Sequence, residues 1–145
     1  MDTIYIEEIQ MGVLGLILLI QSVFDLRSKR LPLWITGVGA GVGIILLIFQ
    51  GSYTPSHVTA LIPGLLCLVI AKVSREAIGY GDGLLLVMMG FFLKVSVLLG
   101  ICLWAITLSG IVALFLLATK KRKGKQEIPF VPFLFVGFIL EVILC

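Results

Sequence analysis

The sequence predicts an all-α membrane protein, a bundle of six transmembrane helices joined by short loops, and three observations predict it. The mean hydropathy is +1.21, with 60% hydrophobic and 13% charged residues, where soluble chains carry about a quarter charged. The apolar residues gather into runs long enough to span a bilayer, which takes roughly 20 residues each. The basic residues, in contrast, gather into every second loop. In 145 residues these spans consume nearly everything, so residues 1–145 read as a single membrane domain. The first run is preceded by Asp2, Glu7 and Glu8 rather than by basic residues, which argues against a cleavable signal.

The first span runs from about Tyr5 or Ile9 to Phe24. The second begins near Leu31-Pro32, where proline suits a first helical turn, and ends near Phe49. The turn-forming stretch from Gln50 to Ser56 separates it from a third span, His57 to Val73. A fourth span starts at Asp82 or Gly83. From there to Thr119 the chain carries one charge, Lys94. That stretch is too long for one helix and predicts two, with a tight turn between Lys94 and Gly100. The sixth span runs from about Pro129 to Cys145.

Loop charge orients the spans. Arg27, Lys29 and Arg30 follow the first, Lys72 and Arg75 the third, and Lys120, Lys121, Arg122, Lys123 and Lys125 the fifth. The positive-inside rule puts these three loops in the cytoplasm and both termini on the other side. The basic run from Lys120 to Lys125 reads as a topological anchor that also meets anionic lipid. A net charge of +3 spread over such loops points to a membrane and not to nucleic acid.

Two acids interrupt this pattern. Asp25 closes the first apolar run and Asp82 opens the fourth, and ionisable groups at such places are expensive unless they have a use. The orientation puts both at the cytoplasmic ends of their helices, level with each other. Two carboxyls held together share a proton. The ionised member can then take a proton from water while the protonated member gives one to a peptide carbonyl. Such hydrolysis requires no metal or cofactor. The alternative uses of the same residues are ordinary. Asp25 can pair with Arg27 or Lys29, and Asp82 can complement a helix N-terminus.

Gly79, Gly81 and Gly83 alternate around Tyr80 and Asp82. They permit either a strand-like segment that pairs with an extended peptide or a loop and a tight helix start. Gln21, four residues before Asp25, is placed to hydrogen-bond that acid or a neighbouring helix. Glu141 is expected to reach the interface on the far side, and Lys94 to lie there too. Cys67, Cys102 and Cys145 stand apart in apolar surroundings and read as packing residues. His57, the one histidine, reads as a structural or loop residue.

Three blocks resemble the type IV prepilin peptidase family of GxGD intramembrane aspartyl proteases. They are Phe24-Asp25-Leu26-Arg27-Ser28-Lys29-Arg30-Leu31-Pro32, Gly79-Tyr80-Gly81-Asp82, and Ile128-Pro129-Phe130-Val131-Pro132-Phe133. The resemblance implies that Asp25 and Asp82 are the catalytic pair. It also implies that the substrate is a prepilin-like protein whose short basic leader is removed at the cytoplasmic face. Gly79, Tyr80, Gly81, Gly83, Pro129, Phe130 and Pro132 would position that substrate, and Glu76 and Glu127 would meet leader charge. Two departures stand out: Leu33-Trp34 follow Pro32, where the family often has Asn, and Gly83-Leu84 replace a Val-Lys pair. Longer members carry a cysteine-bearing insert linked to N-methylation, and this chain resembles the short form without it. The competing expectation is a non-enzymatic transporter or channel subunit with the two acids on an ion path.

Overall fold

The computed structural model describes residues 3–28, 32–51, 55–75, 80–119 and 129–144. Among these residues the chain is helical throughout: α1 (Thr3–Ser28), α2 (Leu33–Gln50), α3 (Pro55–Thr59), α4 (Ile62–Val73), α5 (Tyr80–Phe92), α6 (Val95–Ala118) and α7 (Val131–Leu144). Four stretches are long and apolar enough to cross a membrane: α1, α2, the combined segment Pro55–Val73, and α6. Helices α5 and α7 are apolar but shorter, with 13 and 14 residues, or about 20 Å each at 1.5 Å per residue.

The elements end where local chemistry ends them. Gly51, in the left-handed conformation at φ 65°, closes α2 by donating its N–H to the Ile48 carbonyl. The third expected span is broken at Ala60-Leu61. Pro63 has no N–H to give the Thr59 carbonyl, and its ring crowds that turn. Helix α4 therefore restarts at Ile62 with proline in its first turn. The turn between α5 and α6 falls at Leu93-Lys94, the very start of the expected interval, with Lys94 extended at the head of α6. Helix α1 outruns its expected end at Phe24 by one turn, so Asp25 rides on the helix instead of following it.

Helix α5 is the hub, with α2 and α4 packed along it and α1 touching it, while α7 lies between α1 and α6. Helices α4 and α5 approach backbone to backbone. A Cβ on Gly64 would sit 2.5 Å from the Val87 nitrogen, and one on Gly90 would sit 2.7 Å from the Ala60 carbonyl oxygen. Small residues permit this spacing, and van der Waals contact then holds helices together where lipid offers no hydrophobic drive.

The buried stripe of α1 is Gln10, Leu14, Leu18, Gln21, Ser22 and Asp25, at the period of an amphipathic helix. Its two leucines join Leu85, Met88, Met89, Ile101, Leu134 and Phe138 in the core. Outward faces carry large apolar side chains, among them Trp34, Leu103, Leu114 and Phe115. Such a contiguous apolar surface suits lipid and not water.

Candidate active site

Asp25 lies in the last turn of α1, only 7% exposed. Its Oδ2 accepts a hydrogen bond from the backbone N–H of Val131, at 3.1 Å. Val131 is the first residue of α7, and the local sequence explains why its N–H is available. A helix leaves its first N–H groups without intrahelical partners. Here Pro132 has none to leave, and Phe133 donates to the Phe130 carbonyl at 3.0 Å. The Val131 N–H remains, at the positive end of the helix dipole, and it meets a carboxyl.

Asp82 lies in the first turn of α5, half-buried. Its neighbour Gly83 sets its position against α4, since a Cβ there would lie 2.9 Å from Leu68 Cδ2 and 3.2 Å from the Leu68 backbone nitrogen. The two carboxyls, from helices remote in sequence, come close enough to act on each other electrostatically, and Cys67 of α4 is likewise within reach of Asp82. The site thus gathers the C-terminal end of α1 and the N-terminal ends of α5 and α7. It can hold two carboxyls beside an outward-facing apolar surface. Among the described residues no three His, Cys, Asp or Glu side chains converge to hold a metal ion.

The other expected site residues divide. Phe130 packs half-buried on the core and Pro129 is half-buried beside it. Pro132 occupies the first turn of α7, so this trio builds the helix start that holds Asp25. Of the two uses open to the glycines around Asp82, the structure takes the tight helix start and not the strand-like segment: from Tyr80 onward the backbone is helical. Neither Gly81 nor Gly83 adopts a positive φ. Gly83 serves helix packing, Gly81 is half-buried, and Tyr80 is exposed. Gly79 lies outside the described residues, as do Asp2, Lys29, Arg30, Leu31, Glu76, Ile78, Cys145 and the whole run from Lys120 to Ile128.

Gln21 reaches the neighbouring helix, donating to Thr36 Oγ1 of α2 at 2.9 Å. Glu141 is half-buried near the C-terminal end of α7. It folds over Gly100 of α6, where a Cβ would lie 2.5 Å from its Oε1, so the absent side chain makes its seat. Lys94 is exposed at the α5–α6 corner, and His57 is buried in α3. Both lie at the end of the bundle away from the two acids. Cys67 and Cys102 are free thiols, half-buried against the core.

Three groups escaped the sequence reading: Val131, Thr36 and Ser22. The two prolines around Phe130-Val131 were the available signal for the first, since they mark a helix start with an orphan donor. Thr36 and Ser22 are common packing residues, and nothing in their spacing sets them apart.

No curated protein and no solved structure gave a match to the chain. A family model, the type IV leader peptidase family, matches residues 12–114. That stretch contains both Asp25 and Asp82, and the third block, from Ile128 to Phe133, lies beyond it. With most of its length matched and the two acids inside the match, the chain belongs to the type IV leader peptidase family.

Proposed function

We propose that the protein is an intramembrane aspartic endopeptidase that removes the short basic leader of prepilin-like proteins, with Asp25 and Asp82 as its catalytic pair. The observation that carries this reading is the Val131 N–H bond to Asp25, which joins the last turn of α1 to the start of α7 at the end of the bundle where Asp82 opens α5. In this mechanism Asp25, bonded to a donor at a helix N-terminus, carries the negative charge and takes a proton from water. The water oxygen bonds to the scissile carbonyl carbon, and Asp82 gives its proton to the carbonyl oxygen. As the tetrahedral intermediate collapses, the C–N bond breaks and a carboxyl proton passes to the departing amine. Positioned proton transfer of this kind contributes about 10²–10⁴-fold.

The bundle crosses the cell membrane six times, with both termini outside and the site facing the cytoplasm. Loop charge supports that arrangement. In it, α5 and α7 are short spans whose N-terminal ends stop below the membrane surface, where a leader joins a hydrophobic helix. The chain acts as a peptidase without N-methyltransferase activity, needs no cofactor, and has lipid and a prepilin-like substrate as its partners. The ion-path alternative meets an obstacle in the core, where Leu14 and Leu18 of α1 pack with Met88, Met89 and Leu134 beneath the acids.

The test is co-expression with a prepilin-like protein carrying a basic leader, with the leader followed by gel shift. Asp25→Asn and Asp82→Asn should each abolish cleavage while the protein still inserts and folds. Normal cleavage by either variant would overturn the two-aspartate reading.

A further inference from the structure

Gln21 is fully buried in α1, one turn before Asp25. Its Nε2 donates to Thr36 Oγ1, and its Oε1 has no partner. Turning the amide over changes the label and not the result. The Thr36 hydroxyl would then donate to Oε1, and Nε2 would be left over. A buried amide atom without a partner is costly, and more so inside a bundle that lipid surrounds.

Two other amide atoms share this condition, Gln10 Nε2 and Gln50 Oε1, but both lie at the end of the bundle away from the acids. Gln21 sits at the acids' own end. Gln21 and Asp25 are both buried on α1, and residues four apart on a helix have Cβ atoms about 5–6 Å from each other on one face. A water bound between two carboxyls makes two to four hydrogen bonds in all. A neutral amide can supply one as donor or acceptor, without adding charge to the pair.

We propose that the spare amide atom of Gln21 binds the water that Asp25 and Asp82 activate, and that Thr36 is a positioning residue that fixes the Gln21 amide. The inference rests on the two-aspartate peptidase reading. Gln21 thereby orients the water's lone pair toward the peptide carbonyl while the carboxyls move its protons. Thr36 ties this geometry to α2, which packs along α5 and so along the helix that carries Asp82.

The experiment measures cleavage of a purified prepilin-like substrate by folded, detergent-solubilised enzyme, with kcat and KM separated. Gln21→Met keeps the length of the side chain and removes its hydrogen bonding. It should lower kcat about tenfold or more while KM stays within about twofold, as expected for one hydrogen bond to a group that changes charge. Thr36→Val should lower kcat in the same direction and Thr36→Ser should restore it. This pair carries the test if Gln21→Met does not fold. A wild-type kcat in folded Gln21→Met, a rise in KM alone, or equal kcat for Thr36→Ser and Thr36→Val would overturn the inference. Cleavage that survives Asp25→Asn would instead overturn the reading beneath it, so the two failures are distinguishable.

Discussion

Gly64→Ala tests whether the α4–α5 crossing sets the height of Asp82. The new Cβ would lie 2.5 Å from the Val87 nitrogen, 2.6 Å from its Cγ2 and 2.9 Å from its Cα. Ordinary contact begins near 3.5 Å, so the helices must part by about 1 Å at this point, because a backbone atom cannot swing aside. Overpacking costs about 1–3 kcal/mol, and a backbone clash belongs at the upper end. The better helix propensity of alanine returns about 1 kcal/mol. The net is a destabilisation of about 2 kcal/mol, or on the order of 5 °C in Tm for a chain of this size. Gly41→Ala on α2 is the control, because a Cβ there meets nothing within 4 Å, and it should hold or raise the Tm. Unfolding in detergent can be followed with a thiol-reactive dye through the half-buried Cys67 and Cys102. Cleavage per folded molecule should fall as well, since Asp82 lies about 7.5 Å along α5 from Val87 and a 1 Å misplacement can cost about 10²-fold. A Gly64→Ala protein that melts with Gly41→Ala and cleaves normally would refute this account of the crossing.

Two further substitutions probe the other contacts. Val131→Pro removes the N–H that Asp25 accepts at a position where proline suits a helix start. Cleavage should fall about 10–100-fold, as for a hydrogen bond to a charged group, whereas Val131→Ala should cost stability and leave kcat near wild type; steady-state kinetics beside a melting curve separates the two. Gly100→Ala places a Cβ against the Glu141 carboxyl, the end of a flexible side chain that can swing off, so its Tm should drop much less than that of Gly64→Ala in the same dye assay.

The acids were legible because each breaks an apolar run, and membrane burial makes such breaks conspicuous. Their nearness was legible too, since loop charge alone puts Asp25 and Asp82 at one end of the bundle. What holds Asp25 was not, because a backbone N–H belongs to every residue except proline. Only the start of α7 singles out the one on Val131. Gln21 had two reachable partners, and the choice depends on how α1 is rotated against α2. That rotation is set by close approaches such as Gly39 against Ile17 and Met88, and no spacing within α1 encodes them. The glycines around Asp82 suit both an extended segment and a tightly packed helix. The approach of Leu68 to Gly83 decides between them, a contact between two helices that local pattern cannot contain.

Along α1 the buried side chains change from Gln10 to Leu14 and Leu18 and back to Gln21 and Asp25. The aliphatic middle has an electrical meaning. A file of water through the bundle would have to displace Leu14, Leu18, Met88, Met89 and Leu134, all without exposed surface. The aliphatic middle therefore separates the end that carries Asp25 and Asp82 from the opposite end of the bundle. An energised bilayer that houses such a hydrolase keeps its voltage.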